Sequence, residues 1–204
     1  MADAPLKPAR RCGLILLAAG ASTRMGRPKQ LIPVDGRPLL ERAVLAGLAA
    51  PVWPVVVVLG AHADSLRPTL ARHPVLVAEN PAWAEGMASS LRAGLATLGA
   101  FSPRIDFALI ALCDQPAFSA DTIGRLLAAQ SGTGRSIVAA RYQGHLGAPA
   151  LFAREHFAAL SALTGDEGAR KLMARVPPDT IAAVDLPELA LDLDTPEDVA
   201  RLRS

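Results

Sequence analysis

The residues able to do chemistry in this chain gather in a few short stretches. The densest is Ala18-Ala19-Gly20-Ala21-Ser22-Thr23-Arg24-Met25-Gly26-Arg27-Pro28-Lys29. Small and hydroxylated residues there surround three cations, Arg24, Arg27 and Lys29. Backbone N–H groups and fixed cations delivered to one point are what a polyphosphate needs. Glycine and alanine matter because a bulky side chain would keep phosphate oxygens away from the backbone donors. The plainer alternative is an ordinary strand-to-helix loop with a solvated basic face. It is not a Walker A loop, because five residues separate Gly20 from Gly26 and Arg27-Pro28 intervenes before Lys29. The dinucleotide fingerprint Gly-x-Gly-x-x-Gly is absent as well, so this is a phosphate loop of a third kind.

Acids that could complement such a loop lie much further along. Asp114 follows a very apolar run, Ile105 to Leu112, where an unpaired charge is costly. Asp192 and Asp194 occur in Leu191-Asp192-Leu193-Asp194. Two carboxylates converging on a triphosphate imply a divalent ion, and magnesium takes one or two carboxylates plus phosphate oxygens and retained water. Asp114 and Asp194 are the expected metal ligands, with Asp192 in reserve. The competing role for Asp114 is to cap the following loop. Two residues apart, Asp192 and Asp194 would share one face of a strand. Asp198 and Glu197 fit a helix N-terminus better. His62 and His73 bracket a surface helix and His156 sits on another. Only His145 falls in a candidate substrate loop, and it is not assigned catalysis. Neither a serine-nucleophile signature nor a metal-binding histidine pair occurs.

The elements that must position these residues follow from apolar runs and breakers. Leu14 to Leu17 reads as a strand buried on both faces and Val55 to Leu59 as the next buried strand; Val75 to Ala78, Ile105 to Leu112 (the most apolar) and Ile137 to Ala140 read as further strands. Ile181 to Val184 and Leu191 to Asp194 are further strands. Helices are expected from Pro38 to about Leu48, from His62 to Arg72, and through Ser89-Ser90 to Leu95. Ser119 should cap another reaching about Ala129. Two helical patches follow near Arg154–Leu163 and Asp166–Arg175, and Thr195-Pro196 opens the last helix. Tyr142 to Pro149 reads as a turn-rich excursion. Strands alternating with helices argue for an α/β fold with a parallel sheet covered on both faces. Ligands collect at the carboxyl ends of such strands, where Gly20, Asp114 and Asp194 all fall.

Bulk properties narrow the partners. A chain of 204 residues most simply makes one domain with a substantial core. Its net charge of +2 conceals an asymmetry. Residues 1–50 carry eight Lys or Arg against three acids, and residues 185–204 carry six acids against two arginines. That places a candidate anion site near one end and a cation site near the other, without the broad basic stripe of a nucleic-acid binder. Cys12 and Cys113 are too few for a disulfide framework, which points to a reducing cytoplasm. Arg10-Arg11-Cys12 precedes an apolar run, but the cysteine stands on the wrong side of it for a lipoprotein site. No apolar stretch reaches membrane-spanning length. Residues 1–11, with two prolines, read as a loose leader.

Leu17-Ala18-Ala19-Gly20-Ala21-Ser22-Thr23-Arg24-Met25-Gly26 with Lys29 resembles the signature loop of nucleotidyltransferases that share the sugar-nucleotide pyrophosphorylase fold. Further segments resemble one branch of them. They are Asn80-Pro81-Ala82-Trp83 with Gly86-Met87 and Ser89-Ser90-Leu91, then Leu112-Cys113-Asp114-Gln115-Pro116. Gly147-Ala148-Pro149 with Leu151-Phe152, Gly165-Asp166-Glu167-Gly168-Ala169-Arg170 and Asp192-Leu193-Asp194-Thr195-Pro196-Glu197-Asp198 complete the set. Together, from Gly13 onward, the chain is similar to molybdenum cofactor cytidylyltransferases and their close relatives.

That resemblance implies one nucleotidyltransferase domain over residues 12–204, a Rossmann-like three-layer fold with a mostly parallel, mixed sheet. It implies transfer of CMP from CTP to the terminal phosphate of molybdopterin, release of pyrophosphate, and Mg2+ as cofactor. Lys29, Arg24 and Asp114 would be catalytic. Ala18, Ala19, Gly20, Ser22, Arg24 and Lys29 would bind the nucleotide, with Ser89 and Ser90 near its base. Trp83, Gly86, Met87, His145, Gly147 and Pro149 would form the acceptor pocket. The guanylyl-transferring branch has Leu-Ala-Gly-Gly where this chain has Leu17-Ala18-Ala19-Gly20, so Ala19 favours cytidine. Relatives often carry histidine before the proline where this chain has Ala148. CTP and molybdopterin are then the small-molecule partners, and a molybdenum hydroxylase apo-enzyme or its chaperone is the macromolecular one. Two alternatives stand beside this: the same fold acting on another NTP or phosphate acceptor, and a non-catalytic carrier of molybdenum cofactor. A dehydrogenase is disfavoured by the missing glycine fingerprint.

Overall fold

The computed structural model describes residues 11–201, so the expected leader lies outside the described residues apart from Arg11. The chain begins with β1 (Cys12–Ala18), then a short hairpin of β2 (Pro33–Val34) and β3 (Arg37–Pro38), then α1 (Leu39–Leu48). There follow β4 (Val55–Leu59), α2 (Ala63–Leu70), β5 (Leu76–Glu79), α3 (Met87–Phe101) and β6 (Phe107–Leu112). The second half holds α4 (Ala120–Thr133), β7 (Ile137–Tyr142), β8 (His145–Ala153), α5 (Phe157–Ser161), α6 (Ala169–Met173), β9 (Ile181–Asp185) and α7 (Pro196–Arg201).

Seven strands form one sheet in the order β5-β4-β1-β6-β8-β7-β9. β5, β4, β1 and β6 run parallel, and β9 runs parallel to β7. β8 is antiparallel to both of its neighbours, which makes the sheet mixed. Every residue of β1 and of β4 is buried, as a strand covered on both faces requires. The alternation of side chains divides the core in two. Leu14, Leu16, Val55, Val57 and Leu109 pack against α1, α2 and α4 through Leu40, Val44, Leu66 and Ile123. Ile15, Leu17, Val56, Val58 and Ile110 face α3, α5 and α6 through Leu91, Leu98, Leu160 and Leu172. The result is three layers. A third, smaller cluster joins Met25, Ile32 and Leu39 to Leu193 and Val199, and so clips the segment after β1 onto the C-terminal segment.

Two sequence expectations are corrected. Residues 191–194 do not pair in the sheet; instead Leu193 N–H donates to the Asp114 carbonyl at 3.0 Å. The same-face argument for Asp192 and Asp194 therefore fails. Tyr142 to Pro149 is not a turn-rich excursion but the end of β7, a tight two-residue turn and the start of β8. Gln143 (φ 49°) and Gly144 (φ 76°) supply the two positive-φ residues that match the twist of paired strands. Ala140 pairs with Gly147 while Ala139 pairs with Ala150, so Ala148-Pro149 bulges out of the ladder, where proline's missing N–H costs nothing. The remaining differences are in length: the helical patches at 154–163 and 166–175 shrink to α5 and α6, and α4 runs on to Thr133. Ser119 caps α4, its Oγ accepting from Thr122 N–H at 3.2 Å. Among the described residues, no helix is long and apolar enough to cross a membrane.

Phe152, on β8 opposite Ala108 of β6, is completely buried. Phe152→Ala should lower unfolding free energy by about 3–5 kcal/mol in urea titrations, the usual cost of emptying an aromatic core position.

Candidate functional site

The carboxyl ends of β1 and β6 are neighbours in the sheet, and the loops leaving them face each other. The loop after β1 is held by a buried amide. Gln30 Nε2 donates to the carbonyls of Ala18 and Gly20, each at 3.0 Å. Ser22, in the left-handed region at φ 54°, donates from Oγ to Gln30 Oε1 at 3.3 Å and accepts from Lys29 N–H at 3.1 Å. Gln30 is a residue that motif reading missed. Its partners lie ten to twelve positions upstream, and only its place beside Lys29 hinted at a role. A Cβ added at Gly20 would touch nothing in the protein, so packing does not demand glycine there; the room it leaves faces the cavity.

Lys29 is the centre of charge. Its Nζ lies 2.6 Å from Asp114 Oδ2 and 2.7 Å from Asp194 Oδ1, and Arg24 reaches Asp194 Oδ2 at 2.8 Å. Burial alone would pull the Lys29 pKa down, but the charges and hydrogen bonds of Asp114 and Asp194 outweigh it, and the ammonium is held above the ordinary lysine range. The hydrogen bond from Lys29 in turn lowers the pKa of Asp194. Asp114 Oδ1 and Asp192 Oδ1 are buried without a hydrogen-bond partner. Burial, and then the charge of Asp114, push the Asp192 carboxyl up to about 6. Buried acceptor oxygens with no donor suit a hard cation. Among the described residues no group of three or more His, Cys, Asp or Glu is gathered into a metal cage. That donor set fits magnesium, which is commonly held by one or two carboxylates and completes its shell with substrate phosphates and water.

Two cavities adjoin this charge centre. The first, about 390 Å³, is lined by Ala18, Ala19, Gly20, Lys29, Gln30 and Asp114 on one side and by Trp83, Gly86, Met87 and Ser90 on the other. The second, about 410 Å³, is lined by the β7–β8 hairpin (Tyr142, His145, Gly147, Ala148), by Arg170 and by Asp192 over an apolar floor. Leu17, Met87, Leu112 and Asp166 line both.

The sequence-assigned residues thus fall into three groups. Ala18, Ala19, Gly20, Lys29, Asp114 and Ser90 meet in the first cavity, and Trp83 and Gly86 join them there, while Met87 stands between the two. His145 and Gly147 line the second, and Pro149 lines neither. Asp192 lines the second as well, and Ser22, Ser89, Arg24 and Asp194 stand outside both linings. Ser89 is used by the framework, donating to the carbonyls of Ala82 and Gly86 and accepting from Asn80 Nδ2. Tyr142, Gln115, Asp166 and Arg170 carried no assignment. The Tyr142 hydroxyl donates to the Ala148 carbonyl at 3.0 Å and accepts from Gln115 Nε2 at 3.2 Å, tying the second cavity's wall to the loop after β6. Burial pushes the thiols of Cys12 and Cys113 up to about 12, so neither is a nucleophile at neutral pH.

A mostly parallel sheet with a cation-bearing, amide-rich loop at its switch point is the arrangement shared by nucleotide-handling α/β folds. The model of the MobA-like NTP transferase domain matches residues 14–186. The chain belongs to this family. Among its relatives, nicotine blue oxidoreductase of Paenarthrobacter nicotinovorans is 36% identical over 200 residues, covering 92% of this chain and 94% of that protein. The purine catabolism protein PucB of Bacillus subtilis (strain 168) is 29% identical, covering 93% of this chain and 94% of its own length. Rv0371c from Mycobacterium tuberculosis H37Rv superposes with a TM-score of 0.79 at 31% identity, covering 96% of this chain and 98% of that one. The same protein has also been solved in complex with manganese, with a TM-score of 0.73. As a MobA-like chain, the protein has its family match running from within β1 to just past β9, reaching all seven strands of the sheet.

Proposed function

We propose that this MobA-like chain is a magnesium-dependent nucleotidyltransferase that moves CMP from CTP to the terminal phosphate of molybdopterin and releases pyrophosphate. The observation that carries the transfer chemistry is the Lys29 ammonium held at 2.6 and 2.7 Å by Asp114 and Asp194, beside a loop of small residues opening on a cavity. The choice of cytidine rests on Ala19 and that of molybdopterin on the motif resemblance. A divalent ion is supported by the unpartnered Asp114 Oδ1 and by the manganese complex of Rv0371c.

The acceptor would be a phosphate monoester, whose second pKa is about 6, so its oxygen is already largely ionised at neutral pH. No general base is needed, in keeping with a first cavity that no histidine lines. Asp114, with Asp194 beside it, would hold the magnesium ion. Bound there, magnesium would offset negative charge on the α-phosphate and on the departing pyrophosphate. Lys29 would exchange a carboxylate for a phosphate oxygen, and the loop amides would fix the triphosphate in line with an acceptor seated in the second cavity. Asp166, on the wall common to both cavities, lies where the two substrates would meet.

The test is to incubate the protein with magnesium, molybdopterin and each NTP in turn, and to measure pyrophosphate and nucleotide-linked cofactor. Turnover with CTP alone is the expected result. Turnover with GTP overturns the role given to Ala19, and binding without pyrophosphate favours a carrier. A second reading, oxidoreduction, is favoured by the relative called nicotine blue oxidoreductase. It predicts loss of reduced-nicotinamide absorbance when NADH or NADPH is mixed with the protein and a redox dye.

A further inference from the structure

Four consecutive carbonyl oxygens of the phosphate loop are tied down, and two of the ties come from a turn with no assigned role. Gln30 holds the carbonyls of Ala18 and Gly20. The carbonyl of Ala19 accepts from Ala61 N–H at 3.1 Å, and that of Ala21 lies 2.9 Å from His62 Nε2. A carbonyl oxygen only accepts, so Nε2 of His62 carries the proton at this contact. In a trans peptide the C=O of one residue and the N–H of the next point in opposite directions. Tying the carbonyls of Ala19, Gly20 and Ala21 into the protein therefore turns the N–H groups of Gly20, Ala21 and Ser22 the other way. Those three N–H groups meet no acceptor among the described residues, and Ala19, Gly20 and Ala21 line the first cavity.

We propose that Gly60-Ala61-His62, the turn between β4 and α2, is a clamp that presets the loop amides for a polyphosphate, with His62 as its positioning side chain. The proposal rests on the first cavity being the nucleotide site. β4 is the direct neighbour of β1, with Ala18 opposite Leu59, so this turn emerges alongside the loop. The approach is close: a Cβ added at Gly60 would lie 2.7 Å from the Ala19 carbonyl oxygen, the Ala19 Cβ and the Trp83 Cβ. Only a residue without a side chain lets Ala61 and His62 reach the loop. His62 differs from Gln30 in being half-buried and in the turn that leaves β4, so it ties the loop's far end to the neighbouring strand's exit.

Two measurements test the clamp. Nitrogen-15 NMR of labelled histidine in the ligand-free protein should show the neutral His62 ring as the Nε2–H tautomer. Calorimetric titration with magnesium–CTP and, separately, with inorganic tripolyphosphate should show His62→Ala weakening both by about tenfold, the upper range for one hydrogen bond. His62→Gln, whose amide can donate to the same carbonyl, should recover most of that loss, and Gly60→Ala should reproduce it. Thermal midpoints of the variants separate loss of folding from loss of the tie. An Nδ1–H tautomer, or wild-type tripolyphosphate affinity in His62→Ala, overturns the clamp while leaving the nucleotide site standing. A wild-type protein that binds neither CTP nor tripolyphosphate overturns the nucleotide site and the purpose of the clamp together, even with the Nε2–H tautomer in place.

Discussion

Asp114→Asn is expected to lower nucleotide transfer by at least about a thousandfold, on the scale of losing a preorganised electrostatic contact to the transition state, while the protein stays folded. Asp114 sits where β6 ends, its carboxylate only 14% exposed, one oxygen on Lys29 and the other without a partner. Asparagine keeps the volume and a carbonyl oxygen for Lys29 but puts an N–H donor or a neutral oxygen where the second carboxylate oxygen was. The site then lacks the charge that favours a divalent cation and the ordered Lys29 beside it. Lys29 keeps Asp194, so the ammonium is not stranded and the thermal midpoint should move little. The assay is pyrophosphate release with magnesium, CTP and molybdopterin, alongside circular dichroism of both proteins. An Asp114→Asn protein that releases pyrophosphate at the wild-type rate removes Asp114 from the chemistry.

How far the sequence carried depended on how local each feature is. The loop after β1 was legible as a candidate phosphate site because its small residues and cations are adjacent in the sequence. β1, β4 and β6 were legible because a strand covered on both faces has to be an unbroken apolar run. Asp194 was singled out through motif resemblance and does meet Lys29, yet the spacing argument joining it to Asp192 assumed a strand that does not form. The 191–194 segment is held by Leu193, on the Asp114 carbonyl and in the small cluster with Met25 and Ile32, and by Asp194, whose N–H donates to Asp198, so it runs as a loop and the two aspartates have different neighbours. One meets Lys29; the other lines the second cavity. The β7–β8 hairpin was hidden because Gly144, Gly147 and Pro149 all look like breakers. Only Gly144 turns the chain. Gly147 is required by the Tyr142 hydroxyl, which would lie 2.5 Å from a Cβ, and Pro149 sits in a bulge. The roles of Gln30 and His62 in holding the loop were not legible, because a side chain that serves a distant backbone leaves no spacing to recognise.

Lys29→Met should produce opposite changes in two measurements. Its ammonium lies between Asp114 and Asp194, at 2.6 and 2.7 Å, in the space a cation shared by those carboxylates would need. A divalent ion arriving alone must displace a positive charge that the two acids hold tightly. Two unit charges about 4 Å apart interact by about 1 kcal/mol in water and about 4 kcal/mol near a protein surface, and a divalent ion doubles this, so lifting that repulsion is worth at least about tenfold in affinity. Methionine keeps the apolar stem and drops the charge. Electron paramagnetic resonance of manganese should therefore show Lys29→Met binding the ion without nucleotide at least about tenfold more tightly than wild type. Transfer should fall by about a thousandfold or more, because the triphosphate loses its fixed cation. With CTP present the wild-type protein should bind manganese well, since phosphate oxygens draw Lys29 away and supply ligands of their own. Metal and nucleotide would then enter together, and the lysine would keep the carboxylates apart and charged until they do. Equal manganese affinity in the two ligand-free proteins would show that Lys29 does not stand in the cation's place, whatever its part in transfer.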